Sequence, residues 1–314
     1  MQSINGFFTN AQQQITSLYG FQDALLYQPN EPDTARTIVQ TPDIFHMPYE
    51  TIIIETPDNE KLHGFLIKQL NRTNERETLI FFHGNAGNIG HRSSRHKMTT
   101  CDAYVNLQNA NLLYRTCNIN ILLFDYRGYG KSTGAPSEAG LYTDALAVYN
   151  YVRKRNDLDQ NKIFLFGRSL GGAVALNLAS QLSQTNATPP LYAVIVENTF
   201  TSIPDMAKRL FQVSVLDYVP NWCYKNVYPS LSKMRSIKVP ILFLSGGQDE
   251  LVPSQMMEKL HEECKSSKKQ LAVFPDGQHN TTWLSHDYTS RIRKFLAECS
   301  TSMPTESSTS TDLI

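Results

Sequence analysis

The stretch IFLFGRSLGGAVALNLAS, residues 163–180, passes from four large apolar residues through a glycine-framed turn into small residues at helical spacing. An apolar run of strand length, a sharp turn and an apolar-periodic continuation describe a β-strand feeding straight into an α-helix. Within the turn Gly167-Arg168-Ser169-Leu170-Gly171 has the form GxSxG. The glycines are what so tight a turn requires, because side chains two residues either side of the serine would strike neighbouring backbone. Ser169 is thereby lifted clear of the sheet and set at a helix N-terminus, whose amides and positive dipole favour developing negative charge. A serine in such a turn can also be a mere joint, so its meaning depends on the chain around it.

Outward from this hinge, short β-rich runs alternate with helical stretches from residue 50 to residue 298, the pattern of a mainly parallel sheet covered by helices on both faces. Eight strands are expected: 51–56, 62–68, 78–84, 119–126, 162–167, 191–198, 239–246 and 269–276. Only the turn TPDNEK separates the first two, which leaves no room for a crossover helix and predicts an antiparallel edge hairpin beside six parallel strands. Helices are expected at about 88–110, 139–154, 170–184, 202–212, 254–265 and 284–298. About 40 residues lie between the sixth and seventh strands, more than a single crossover needs. They read either as a small cap near 200–232, carrying Phe200, Ile203, Met206, Leu210, Phe211, Leu216, Tyr218 and Trp222, or as an ordinary packed helix pair.

At 314 residues and 41% apolar content the chain can bury one large α/β core. Its 29 basic and 29 acidic side chains balance, with no basic cluster dense enough to hold a phosphate backbone, which argues against nucleic acid as a partner. The five cysteines are odd in number, widely spaced and free of any CxxC, so neither a disulfide framework nor a zinc site is expected. Three glycosylation sequons, at Asn71, Asn186 and Asn280, would matter only to a chain facing a secretory lumen. Residues 1–20 form an N-terminal extension too polar to cross a bilayer and without the pattern of a signal peptide, yet Phe7, Phe8, Ile15, Leu18 and Tyr19 suit a peripheral membrane contact. Residues 21–299 are expected to form the folded domain, and the Ser/Thr-rich 300–314 a disordered tail. Oligomeric state leaves no signature.

A serine hydroxyl is a poor nucleophile without a base, and the base needs an orienting carboxylate. In a strand–turn–helix architecture of this kind the three follow in the order serine, acid, histidine, each at the C-terminal edge of a strand. Asp249 follows ILFLSGG and His279 follows LAVFPDG, meeting both order and placement. His261 falls inside an expected helix, His286 well past the strand end, Glu250 beside Asp249, and Asp276 too close to His279 in sequence. An oxyanion needs two amides: Leu170 supplies the first, and Asn85, in the His83-Gly84-Asn85 bend after the third strand, is the candidate for the second. Each such donor is worth roughly 3 kcal/mol of barrier. Gly130-Lys131-Ser132 fails as a phosphate loop because Asp125 stands where glycine is required. His83, His91 and His96 lack ligand spacing for a metal, and His83 is expected to tie its loop to the core.

Taken together, HGNAGNIGHR, DYRGYGKS, KIFLFGRSLGGAVA, VENTF, WCYKN and FPDGQHN resemble the alpha/beta-hydrolase superfamily, in the branch of alpha/beta-hydrolase domain-containing protein 13 and its close relatives, from about Phe21 to the end. The resemblance implies an alpha/beta-hydrolase fold with Ser169 as nucleophile, Asp249 as charge partner and His279 as base, and it implies no cofactor. It also implies membrane-associated hydrolysis of esters or thioesters, with acylated proteins or lipids as substrates and S-palmitoylated proteins among them. Members similar to this chain carry a hydrophobic anchor ahead of the segment resembling GFQDALLYQPNEP, and no such anchor stands here. Two alternatives stay open: a serine peptidase of prolyl-oligopeptidase type, and a catalytically silent interaction protein on the same scaffold.

Overall fold

The computed structural model describes residues 21–90, 105–188, 190–211 and 218–300. The expected N-terminal extension and C-terminal tail fall outside these residues, apart from Ser300. Eight strands form one sheet in the order β1-β2-β4-β3-β5-β6-β7-β8. β1 (Tyr49–Glu55) and β2 (Lys61–Ile67) make the expected antiparallel hairpin, and β2 runs antiparallel to β4 (Asn120–Phe124). The other strands, β3 (Thr78–Phe82), β5 (Ile163–Arg168), β6 (Ala193–Glu197), β7 (Ile241–Gly246) and β8 (Lys269–Phe274), are parallel to β4 and to one another.

Every residue of β3, β4, β5, β6 and β7 is buried, which explains why these strands read as continuous apolar runs. Alternate side chains enter two separate cores. Ile80, Leu122, Leu165, Val194 and Phe243 pack with α2 (Glu138–Arg153), α3 (Leu170–Gln184) and α6 (Ser254–Glu263) on one face. Leu79, Leu123, Phe166, Ile195 and Leu242 pack with α1 (Val105–Cys117) and α7 (Tyr288–Ser300) on the other. A large-to-alanine change at the centre of either layer should cost about 2–5 kcal/mol.

Two helix boundaries differ from the sequence expectation. The helix expected over 88–110 does not include 88–90, and its described part, Val105–Cys117, runs seven residues past the expected end. There the Asn88 carboxamide donates to the carbonyls of Ala35 and Ile38 and accepts the Gly90 amide, saturating a turn. The last helix starts at Tyr288, because Thr282–Leu284 is a 3₁₀ turn and Asp287 takes a left-handed φ of 65°. Among the described residues the connection from β6 to β7 holds α4 (Ile203–Phe211), a 3₁₀ turn at Asn221–Cys223 and the one-turn α5 (Ser230–Lys233). Phe200 and Met206 are buried in the core, whereas Leu210, Phe211, Tyr218 and Trp222 are exposed. Leu216 lies outside the described residues.

Because β3 to β8 are parallel, their C-terminal ends share one edge of the sheet. The turns leaving β5, β7 and β8 there carry Ser169, Asp249 and His279.

Candidate active site

At the end of β5 the chain reverses into α3 within one residue. Ser169 takes φ 52° and ψ −122°, a conformation that L-residues avoid at a cost of about 1–3 kcal/mol. What holds it there is close packing on both sides. A Cβ on Gly167 would lie 2.3 Å from the Gly171 carbonyl oxygen, and one on Gly171 would lie 2.1 Å from that of Phe82. The Ser169 amide donates to the Glu197 carbonyl (3.0 Å), and its own carbonyl accepts the Thr199 hydroxyl (2.7 Å).

His279 and Asp249 meet the serine in a line. His279 Nε2 is 3.1 Å from Ser169 Oγ, and His279 Nδ1 is 2.8 Å from Asp249 Oδ2. The Asp249 carboxylate is buried, and its second oxygen accepts the amides of Leu251 (2.9 Å) and Val252 (2.7 Å). All three sequence-selected side chains thus converge. The competitors do not: His261 lies on α6 against the Phe243 ring, His286 is exposed beside Asp287, and Glu250 and Asp276 are exposed.

The loop after β3 comes over the nucleophile. A Cβ on Gly84 would stand 3.8 Å from the Ser169 Cβ. Next to it, Asn85 is tied down through its other groups: its carbonyl accepts the Gln28 amide (3.0 Å) and the Tyr129 hydroxyl (2.9 Å), and its carboxamide donates to the Leu26 carbonyl (2.9 Å). No protein acceptor among the described residues takes the Asn85 amide. The Leu170 amide, as the first of a helix, has no acceptor within the helix either. As expected, His83 anchors this loop. It is fully buried, its ring is 2.8 Å from the Gly84 carbonyl, and its own carbonyl accepts the Tyr126 hydroxyl. Burial pushes the His83 pKa down, against the pull of Asp125, and holds the Tyr126 and Tyr129 phenols well above their ordinary range, so that both remain donors.

Sequence reasoning missed the residues that brace this constellation. Arg168 pairs with Glu197 at 2.6 Å, and Glu197 also accepts the Tyr288 hydroxyl. This pair is buried between β5, β6 and α7, and breaking such a pair costs about 3–5 kcal/mol. Tyr27, just before the Gln28 contact with the β3 loop, donates to Asn226 Oδ1 (2.9 Å) and shares a 2.8 Å bond with the Tyr228 hydroxyl. Neither set has a spacing in the chain that announces it, since the partners of Tyr27 lie about 200 residues away.

A parallel α/β sheet with a strained serine elbow at its C-terminal edge, faced by a histidine and a buried carboxylate, defines an alpha/beta hydrolase scaffold. The comparisons agree: residues 77–187 match the alpha/beta hydrolase fold family, and residues 137–302 the prolyl oligopeptidase family. Protein bem46 of Schizosaccharomyces pombe is 39% identical over 282 residues, covering 90% of this chain and 87% of its own. Alpha/beta hydrolase domain-containing protein WAV2 of Arabidopsis thaliana is 34% identical, over 86% of this chain and 85% of its own. An uncharacterized membrane protein of Saccharomyces cerevisiae, YNL320W, is 36% identical, over 90% and 92%. Among solved structures, the Pyrococcus furiosus esterase Pf2001 superposes with a TM-score of 0.65 at 21% identity, over 87% of this chain and 97% of that one, a likeness of fold. The chain belongs to the alpha/beta-hydrolase superfamily, as a relative of these bem46-like and WAV2-like proteins.

Proposed function

We propose that this protein is a serine hydrolase of carboxylic esters and thioesters, with Ser169 as nucleophile, His279 as general base and acid, and Asp249 as the partner that orients His279. The observation that carries the reading is the continuous line from Asp249 Oδ2 through the two His279 nitrogens to Ser169 Oγ, at 2.8 Å and 3.1 Å. His279 Nδ1–H donates to Asp249, which leaves the Nε2 lone pair facing the serine hydroxyl. His279 takes the Ser169 proton as Oγ attacks the acyl carbonyl. The tetrahedral oxyanion is held by the amides of Leu170 and Asn85, both free to donate. The resulting imidazolium then protonates the departing alcohol or thiol. Water, deprotonated by the same imidazole, cleaves the acyl-enzyme and returns the free acid and Ser169. The chemistry needs no cofactor.

The finer reading places the chain in the branch of alpha/beta-hydrolase domain-containing protein 13, acting on S-palmitoylated proteins or acylated lipids at a membrane surface. Exposed apolar side chains close in the chain to two triad members support an acyl substrate: Leu251 lies two residues after Asp249, and Leu284 five after His279. One relative is named a membrane protein, which supports action at a membrane surface; no helix among the described residues is long and apolar enough to cross a bilayer. A peptidase reading rests on the prolyl oligopeptidase match over residues 137–302.

The test is a fluorophosphonate probe on wild type and Ser169→Ala, followed by turnover of acyl thioesters, acyl esters and aminoacyl amides. Labelling of wild type alone, with the ester and thioester cleaved faster than the amide, is the expected result. A folded wild type that takes no label makes the chain a silent interaction protein on this scaffold; faster amide cleavage makes it a peptidase.

A further inference from the structure

Glu197, the last residue of β6, and the next two, Asn198 and Thr199, contact the turn that carries Ser169, the loop that carries His279 and the end of β7. Glu197 and Thr199 hold the backbone of Ser169 from its amide and carbonyl sides, as described above. Asn198, between them, turns the other way. Its carboxamide nitrogen lies 2.9 Å from the His279 carbonyl, 3.0 Å from Thr282 Oγ1 and 3.3 Å from the Gln278 carbonyl, while its oxygen accepts the Gly246 amide at 2.8 Å. Thr282 completes the ring by donating to the Gln278 carbonyl at 2.7 Å. Asn198 is buried and takes a left-handed φ of 47°, which asparagine tolerates better than most side chains.

The Asn198 carboxamide therefore joins the histidine loop to the end of β7, three residues before Asp249. These two segments are in backbone contact. A Cβ on Gly246 would lie 2.5 Å from both the Gly277 carbonyl oxygen and Thr282 Oγ1, and the Gln248 amide donates to the Gly277 carbonyl at 2.8 Å. His279 must satisfy two distances at once, to Asp249 and to Ser169, and a displacement of about 1 Å in such a constellation costs on the order of 100-fold in rate. We infer that Asn198 is a positioning residue for His279: its carboxamide fixes the height of the histidine loop against β7, and so sets both distances without touching the reacting atoms. This rests on the hydrolase reading above.

Asn198→Gly keeps the left-handed backbone and removes the carboxamide. The kcat for a short acyl ester should fall about 30-fold or more while KM changes little, because the loop loses its register and the substrate pocket does not. Thr282→Val and Thr282→Ser form the milder pair: valine removes the hydroxyl that relays the Asn198 contact and should lower kcat, and serine should restore it. Melting temperatures are measured alongside. A folded Asn198→Gly with wild-type kcat overturns the inference, as does a Thr282→Val with wild-type kcat; if Asn198→Gly does not fold, the Thr282 pair decides alone. A wild type that takes no fluorophosphonate label overturns the hydrolase reading and this inference together, whereas labelled wild type with unchanged variants overturns the inference only.

Discussion

Asp249 presents His279 with one carboxylate oxygen and keeps the other on the amides of Leu251 and Val252. This division makes the effect of Asp249→Asn specific. The two amides can be satisfied only by an oxygen, so the asparagine NH₂ must face His279 Nδ1, which then has to accept. The imidazole proton moves to Nε2, and no lone pair remains for the Ser169 hydroxyl. Ester kcat should drop by about 10³–10⁴-fold with the fold retained, measured by turnover together with circular dichroism.

Two glycines near the nucleophile should respond oppositely to alanine. At Gly171 the new methyl would lie 2.1 Å from the Phe82 carbonyl oxygen and 2.4 Å from that of His83, both backbone atoms that cannot move aside. At Gly84 its nearest neighbour would be the Ser169 Cβ at 3.8 Å, an ordinary contact. Gly171→Ala is therefore expected to lose soluble, cooperatively folded protein, the cost exceeding the 1–3 kcal/mol of usual overpacking. Gly84→Ala should melt within a few degrees of wild type. Parallel thermal denaturation of the two variants checks the contrast.

The strand-to-helix hinge was legible in the sequence because its features are local. Apolar runs buried on both faces identify β5 and β7, and the glycines of GxSxG mark where backbone meets backbone. Asp249 and His279 could be selected because parallel strands deliver their loops to one edge in chain order. Asn198 could not, since its role depends on a carboxamide reaching Gly246 and His279 from a third strand. The helix boundary near residue 88 failed for a related reason: the Asn88 side chain bonds to carbonyls some 50 residues earlier, and no local propensity reports that.

His83 makes stability depend on pH. Its ring is fully buried, with Asp125 Oδ1 at 3.9 Å and the Tyr126 and Tyr129 rings packed against it, and burial lowers its pKa below the ordinary value of 6.5. Between that lowered value and 6.5 the unfolded chain binds a proton that the native chain does not. Stability should therefore be full above about pH 6.5 and fall as the pH drops below it, by at most about 1.4 kcal/mol per pH unit for this one group. His83→Asn keeps a donor toward Gly84 and cannot titrate. Urea denaturation at pH 7.5 and 5.5 should show a smaller loss for the variant than for wild type, the remaining histidines contributing equally to both.

Tyr27 provides the test of how far the N-terminal segment governs the site. Its hydroxyl joins Asn226 and Tyr228, while the neighbouring Leu26 and Gln28 hold Asn85 through the Asn85 carboxamide and carbonyl and hold Gly87 through its amide. Asn226 Oδ1 would keep the Glu138 amide after Tyr27→Phe, but the buried Tyr228 hydroxyl would lose its partner. Leaving such a group unsatisfied costs about 1–3 kcal/mol. The same loosening should reach Asn85, whose amide is the proposed oxyanion donor, so kcat should fall severalfold with KM little changed. Thermal denaturation combined with ester kinetics separates the outcomes: lowered stability with wild-type kcat would mean that the Tyr129 hydroxyl and the β3 strand end hold Asn85 without help from the N-terminal segment.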